Sequence, residues 1–194
     1  MQHHLLERQR LLPSLDAALS FYDSPTAQHS HRVAVSASSL GEAWGLPEPE
    51  RLVLSWAGAL HDIGKMAVPV AVLCKQGPLT ETELALVKQH PIVGADLLLT
   101  VSEDLDPVAS AVRSHHERWD GAGYPAGLAG VDIPVLGRML AVVDAFDAMT
   151  AGRPYHRAKS PQEALMELWD QAGAQFDPEL VGLFTQLHRE HRIG

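Results

Sequence analysis

Apolar residues recur along the chain at the three- and four-residue spacing of amphipathic helices, and short polar segments separate these stretches. No alternating pattern typical of a strand continues over a useful length, and no internal repeat or low-complexity tract is visible. The pattern therefore predicts an all-α fold. The predicted helices cover residues 4–21, 24–44, 49–63, 80–90, 104–116 and 134–150, with two more that begin near residues 161 and 178.

Helix boundaries carry recognisable end signals. Thr80 and Glu83 have the spacing of a capping box, in which a hydroxyl and a carboxylate satisfy the free amides of a first turn. Gly45 is placed to end the helix that covers residues 24–44. Residues 117–133 are rich in glycine and proline and predict an ordered loop.

The size and charge of the chain limit the function classes. A length of 194 residues with 46% apolar residues is typical of one globular domain. The net charge of −9 makes a nucleic acid polymer or an anionic membrane a poor generic partner. No apolar run approaches the ~20 residues that span a bilayer. An anionic ligand would have to be held locally, by a metal or by a few lysines and arginines.

The single cysteine, Cys74, excludes an intrachain disulfide. With no signal-peptide pattern at the N-terminus, the simplest interpretation is a cytoplasmic protein. We expect Cys74 to be a small buried apolar residue rather than a nucleophile.

Potential metal ligands occur at five places along the predicted helices. They are His29, the pair His61 and Asp62, His90, the pair His115 and His116, and Asp144. Each alone has a structural alternative, such as a buried salt bridge for the aspartate or a surface position for a histidine. Together, imidazoles and carboxylates without a thiolate suit iron, manganese, zinc or nickel and argue against a closed structural zinc site. Seven such side chains exceed the needs of one ion, and two ions that share a carboxylate are a recurring device for hydrolysing phosphate esters.

These residues lie in segments that resemble the HD-GYP family, a branch of the HD-domain metal phosphohydrolases. The most specific segment is HHERWDGAGYP at residues 115–125. The other matching segments are HSHRV at 29–33, HDIGK at 61–65, KQHP at 88–91, DAFDAMT at 144–150, RPY at 153–155 and QFDP at 175–178. The likeness covers roughly residues 22–185.

The resemblance implies an HD-domain helical bundle over residues 22–194, with residues 1–21 as an N-terminal helix or linker. It implies hydrolysis of the bacterial second messenger cyclic di-GMP to linear pGpG and on to GMP. The reaction would use a hydroxide between two divalent metals, with iron or manganese favoured over zinc or nickel.

Roles follow for individual residues by the same resemblance. One metal would be held by His29, His61, Asp62 and Asp144, and the second by His90, His115 and His116, with Asp62 bridging the two. Lys65 would lie beside the scissile phosphate, where it stabilises charge or protonates the leaving oxygen. Arg153 would grip a substrate phosphate. Asp147, one helical turn from Asp144, would orient the attacking water.

Two positions depart from the family pattern. Pro25 stands where members with three metals have a glutamate, so we expect a binuclear centre. His156 stands where the family often has arginine or lysine, so we expect either weaker phosphate binding or substitution by the neighbouring Arg157.

The family's signature loop includes two acidic residues, two glycines and the Tyr-Pro pair, namely Glu117, Asp120, Gly121, Gly123, Tyr124 and Pro125. The glycines are expected to permit tight turns, and the acids to anchor the loop behind the histidines. The resemblance also implies partner contacts by this loop, including contacts with diguanylate cyclase domains.

Two alternative functions stay open at this point. One is an HD phosphohydrolase that acts on another cyclic dinucleotide or nucleotide, and the other is a non-catalytic scaffold that binds cyclic di-GMP. The intact ligand positions favour an enzyme. A sensory or receiver module is a further expected partner, and residues 1–21 are candidates for homodimerisation.

Overall fold

The computed structural model describes residues 24–151 and 158–193, with side chains from residue 28 onward. Within these ranges the chain is helical and has no strand, and its one isolated backbone bridge joins Ala172 and Phe176. The predicted all-α class is confirmed. The interpretation of residues 1–21 as a separate helix or linker lies outside the described residues.

The described ranges contain nine α-helices in chain order. They are α1 (Ser24–Trp44), α2 (Glu48–Leu60), α3 (Val70–Leu73), α4 (Glu81–Val87), α5 (His90–Val101), α6 (Asp106–Ser114), α7 (Val135–Thr150), α8 (Pro161–Asp170) and α9 (Pro178–Arg189). Short 3₁₀ turns cover Ile63–Ala67, Glu103–Leu105 and Gly130–Asp132.

The predicted helix end signals are confirmed. The Thr80 hydroxyl accepts the Glu83 amide at 3.3 Å, and the Glu83 carboxylate accepts the Thr80 amide at 2.7 Å, so the capping box opens α4. Gly45 follows α1 with φ +91°, a conformation that favours glycine.

Three helices are shorter than their apolar patterns predict. The helix expected over residues 80–90 ends at Val87, and His90 begins a separate helix, α5, with Pro91 in its first turn. α2 ends at Leu60, because the chain tightens into a 3₁₀ turn from Ile63. α6 begins at Asp106 with a proline in its first turn and ends at Ser114. Both histidine-containing pairs therefore lie just beyond a helix end, where a side chain is not confined to one helix face.

The prediction of a buried Cys74 is wrong. This residue is an exposed free cysteine that caps α3. No residue of that four-residue helix is buried, so the apolar sequence around the cysteine covers no core.

One stretch, Glu81–Val101, is long and apolar enough to cross a membrane by length and composition alone, which corrects the expectation of no such run. It consists of α4 and α5 with a break at Lys88 and Gln89, and 28% of its most apolar window is buried. Buried core helices pass the same test, so the stretch is weak evidence for a membrane span.

The hydrophobic core lies between α1, α2, α6 and α7, with α9 closing one side. Its fully buried large side chains include Leu40, Leu54, Leu60, Met139, Leu140 and Phe184. The packing brings the N-terminal third of α1, the C-terminal ends of α2 and α6, the start of α5 and the middle of α7 to one place. All the predicted metal ligands lie on these parts of the fold.

Gly64 allows two of these segments to meet backbone to backbone. A Cβ atom at this position would overlap the carbonyl oxygen of His90 and lie 2.6 Å from the amide nitrogen of Gly94. The 3₁₀ turn that follows His61 and Asp62 is thereby held against the first turn of α5. Glycine is required here for space.

We expect Gly64→Ala to destabilise the fold by about 1–3 kcal/mol, because the added methyl must push α5 away from the turn. Chemical denaturation of the two proteins measures the difference. Gly182→Ala is the matched control, since its Cβ would meet nothing closer than Trp169 at 3.8 Å. Equal stability of the Gly64→Ala chain and the unaltered chain would contradict the close contact.

Candidate metal centre

Two groups of potential ligands lie side by side in the fold. The first contains His29 from α1 with His61 and Asp62 from the end of α2. The second contains His90 at the start of α5 with His115 and His116 after α6. Within each group, one ligand atom from every residue lies within 4.8 Å of the others. The structure thus brings together side chains that are up to 87 positions apart (His29 and His116).

Asp62 lies between the two groups. Its Oδ2 atom is 3.4 Å from His61 Nε2, and its Oδ1 atom is 3.4 Å from His90 Nε2. The two oxygens of one carboxylate therefore face different groups. This is the arrangement that a bridging ligand requires.

Asp144 on α7 completes the first group. Its Oδ1 atom lies 3.1 Å from His29 Nε2 and 3.8 Å from His61 Nε2. All seven residues that the sequence singles out as ligands are consequently adjacent to the same centre.

Three of the imidazoles are oriented by their own backbone. His61, His90 and His115 each place Nδ1 against the carbonyl oxygen three residues earlier, at 2.8, 2.8 and 2.6 Å. A carbonyl accepts only from a protonated nitrogen, so Nδ1 carries the hydrogen and Nε2 is the nitrogen left to bind a metal. Such outer hydrogen bonds are the usual means of fixing the tautomer of a metal-binding histidine.

The second group is held in the neutral, metal-binding form. Burial lowers the pKa of His116 to about 4. Burial, together with the neighbouring His116, lowers the pKa of His115 well below its usual value. These two imidazoles are unprotonated at neutral pH.

In the first group, neighbouring opposite charges stabilise the protonated imidazole and the ionised carboxylates. Burial would lower the pKa of His29, but hydrogen bonds to Asp144 and Asp147 outweigh it and raise this pKa to about 9. Burial would raise the pKa of Asp62, but His61 and Lys65 together keep it well below its usual range. Without a metal, protonated imidazole and carboxylate neutralise each other here.

The residues fit a pair of divalent ions. His61 Nε2 is buried and makes no hydrogen bond, although Asp62 Oδ2 lies 3.4 Å away. A buried polar atom without a partner is costly, and a metal ion is one species that satisfies it. Nitrogen and oxygen donors without a thiolate suit iron, manganese, zinc or nickel.

Lys65 and Asp147 contact the centre from outside. Lys65 Nζ donates to Asp62 Oδ2 at 2.6 Å, from the 3₁₀ turn after α2. Asp147 accepts from His29 Nδ1 at 2.7 Å and from Arg32 at 2.6 Å, so it lies behind His29. Its expected role in orienting water remains a prediction, and its described contacts are with these two side chains.

The signature loop is anchored as the sequence suggests. The buried Glu117 carboxylate accepts the amides of Ala126 and Leu128 at 2.7 and 3.1 Å. Asp120 accepts from Arg118 at 2.7 Å and from the amide of Ala122 at 3.0 Å.

Both loop glycines are structurally required. Gly121 has φ +79°, and a Cβ on Gly123 would overlap the backbone of Arg118. The amide of Tyr124 donates to the carbonyl of His116 at 3.1 Å, while Pro125 follows in a cis peptide bond. The loop is consequently tied directly to a ligand residue.

A cleft of about 360 Å³ opens beside the second group, and His115, His116 and Asp144 are among the residues that line it. Lys88, Arg118, Tyr124 and Gln175 contribute to its wall. Lys88 Nζ lies 5.2 Å from the centre of the Tyr124 ring. Sequence reasoning assigned no role to Lys88, Arg118 or Gln175; for Lys88, the signal was its position two residues before His90.

Four sequence-based assignments concern residues whose side chains the structure does not describe. Arg153, His156 and Arg157, the expected phosphate contacts, fall in the undescribed range 152–157. The side chain of Pro25 is also not described. The expectation of two rather than three metals therefore stays a prediction.

Comparison with known proteins gives consistent matches. A family model described as HD domain matches residues 13–180. The chain is 41% identical over 177 residues to the cyclic di-GMP phosphodiesterase response regulator RpfG of Xanthomonas campestris, covering 90% of this chain and 47% of that protein. It is 37% identical over 179 residues to the 3′3′-cGAMP-specific phosphodiesterase 2 of Vibrio cholerae, covering 92% of this chain and 34% of that protein.

A solved structure shares the fold. The cyclic GMP-AMP-specific phosphodiesterase V-cGAP3 of Vibrio cholerae superimposes with a TM-score of 0.71 at 24% identity, covering 94% of this chain and 49% of the other. The chain spans half or less of the length of each of these proteins.

We expect Asp62→Asn to reduce metal binding from about two ions per chain to one or fewer, because an amide retains a single ligating oxygen. Elemental analysis after equilibration with Mn²⁺ and removal of free ions measures the count. Asp96→Asn is the control, since Asp96 pairs with Arg113 on the surface. Two tightly held ions in the Asp62→Asn chain would contradict a bridging role.

Proposed function

Because the chain belongs to the HD domain family, we propose that it hydrolyses a 3′–5′ phosphodiester bond of a cyclic dinucleotide, with cyclic di-GMP as the substrate. The resemblance to the HD-GYP branch is confirmed by the match to the HD domain and by relatives named as cyclic di-GMP phosphodiesterases. The observation that carries the proposal is the shared Asp62, which joins two ligand groups beside an open cleft.

The bound ions would supply Lewis acidity at the phosphate and lower the pKa of a water molecule. Imidazole and carboxylate donors suit iron, manganese, zinc and nickel, and by the resemblance to the HD-GYP family we propose iron or manganese. The chain would hold the ions with the seven side chains of the two groups. The backbone contacts of His61, His90 and His115 keep the imidazoles aimed at the centre before any ion enters.

The contact of Lys65 with Asp62 supports a role for this lysine at the reacting phosphate. Its Nζ atom lies 2.6 Å from Asp62 Oδ2, and the side chain is partly exposed. We propose that this ammonium donates a hydrogen bond to the phosphate as negative charge grows, or a proton to the leaving 3′ oxygen. A donor placed in advance at the site of developing charge is worth a large rate factor.

The cleft wall suits a nucleotide with more than one phosphate. Lys88 and Arg118 add positive charge beside Tyr124, although Glu117 and Asp144 line the same cleft. Together with two bound metal ions, these cations would let a chain of net charge −9 bind an anion. We propose that Arg153, His156 and Arg157 add phosphate contacts.

A second candidate substrate is 3′3′-cGAMP. The Vibrio cholerae relative named for that substrate is 37% identical over 92% of this chain. The same two ligand groups serve either substrate, since both contain the same type of phosphodiester. Base recognition decides between them.

We also propose that the signature loop contacts partner domains, such as a diguanylate cyclase or a sensory or receiver module. Its exposed Ala122 and Ala126 lie near Tyr124 at the surface. A cytoplasmic location and a homodimer are likewise proposals.

The direct test is anaerobic turnover by the chain loaded with Fe²⁺ or Mn²⁺, with separate assays on cyclic di-GMP, 3′3′-cGAMP and cyclic di-AMP. Chromatography separates linear dinucleotide from mononucleotide products. The proposal expects pGpG or GMP from cyclic di-GMP. Faster turnover of 3′3′-cGAMP would favour the second candidate. No turnover of any of the three substrates by a chain with two bound ions would contradict a cyclic dinucleotide phosphodiesterase.

We expect Lys65→Met to lower kcat by about 10²–10³-fold with the metal count unchanged, because the charge at the phosphate is lost. Lys75→Met is the matched control, since Lys75 pairs with Glu83 at the start of α4, away from the cleft. An unchanged kcat in the Lys65→Met chain would exclude this lysine from catalysis.

A further inference from the structure

His29 differs from the other oriented imidazoles in what holds its Nδ1 atom. His61, His90 and His115 use a carbonyl oxygen of their own turn. His29 instead donates to Asp147 Oδ2 at 2.7 Å, across 118 sequence positions. Because His29 lies inside a continuous helix, the nearby carbonyls are taken by backbone bonds, and the ring needs a partner from another element.

Arg32 fixes that partner. Its Nε donates to Asp147 Oδ1 at 2.6 Å and its Nη2 donates to Asp147 Oδ2 at 2.8 Å. Two parallel bonds between a guanidinium and a carboxylate define the plane of the carboxylate as well as its position. The oxygen that accepts from His29 is thereby held in place.

The four side chains form a regular arrangement between two helices. His29 and Arg32 are three residues apart on α1, and Asp144 and Asp147 are three residues apart on α7. Residues at this spacing share a helix face. His29 contacts both aspartates, at 3.1 Å through Nε2 and at 2.7 Å through Nδ1.

We propose that Arg32 is a positioning residue for the first metal site, acting through Asp147 to hold His29 Nε2 toward Asp144. The inference rests on the metal centre of the proposed function. It adds Arg32, which had no role predicted from the sequence, to the residues that support this centre. Without the guanidinium, the Asp147 carboxylate is free to turn from His29. In the second group, His90 and His115 are anchored by backbone carbonyls instead, so their orientation does not involve this contact.

Loss of such an outer partner typically costs 10–100-fold in metal affinity. Mn²⁺ binding to the full chain, measured by calorimetry and by electron paramagnetic resonance, should resolve two ions in the unaltered protein. Arg32→Gln should weaken one of them by about 10–100-fold and leave the other unchanged. Arg32→Lys should give an intermediate loss, because an ammonium keeps the charge without the two-bond geometry.

Arg113→Gln is the matched control. Arg113 and Arg32 are similarly exposed, at 41% and 44% of the side chain, and each pairs with one aspartate. Arg113 pairs with Asp96 on the surface and has no contact with the ligand side chains among its described contacts, so this variant should bind both ions normally. The unchanged second ion in Arg32→Gln shows that the chain is folded.

A His116→Ala background identifies the weakened ion, because it removes a ligand of the second group. In that background, Arg32→Gln should weaken the remaining ion by the same factor. Equal weakening of both ions, no weakening, or full affinity in Arg32→Lys would overturn the inference. A chain that binds both ions but hydrolyses no cyclic dinucleotide would overturn the proposed function alone, whereas an unaltered chain that binds no Mn²⁺ would overturn both.

Discussion

The site depends on one buried carboxylate, Asp62, which lies between two sets of imidazoles. Burying an ionised carboxylate costs several kcal/mol unless positive charge or hydrogen bonds compensate it. Here His61 and Lys65 keep its pKa well below its usual range despite burial. Each oxygen faces a different ligand group, at 3.4 Å from His61 and from His90. The surrounding fold must therefore deliver several cationic or metal-binding groups to one point.

Backbone contacts position most of these ligand side chains. Gly64 lets the turn after Asp62 touch the first turn of α5, which fixes the distance between the two ligand groups. The signature loop is held from behind by the buried Glu117, whose carboxylate accepts two loop amides. His29 is the exception, because its orientation depends on side chains from α1 and α7. The first group is accordingly the one most sensitive to how these two helices pack.

Sequence reasoning succeeded where the determining interaction is local. Thr80 and Glu83 correctly predicted a helix start, and Gly45 correctly predicted a helix end. Caps and glycine turns depend on neighbouring residues, so they can be predicted from the sequence. The segments that resemble the HD-GYP family also pointed to the seven histidines and aspartates that the fold brings together, and their role as metal ligands stays a prediction. Contacts between residues far apart in the sequence could not be predicted in the same way. The contact of His29 with Asp147 spans 118 positions, and nothing local indicated that Cys74 would be exposed.

The central claim is that the two ligand groups form one centre through Asp62. Anomalous diffraction from crystals grown with Mn²⁺ tests it most directly, because the metal positions appear without assumptions about turnover. The account predicts two peaks about 3.5–4 Å apart, one beside His29 and His61 and the other beside His90, with a carboxylate oxygen of Asp62 directed at each. A single peak, or two peaks of which Asp62 contacts one only, would contradict it.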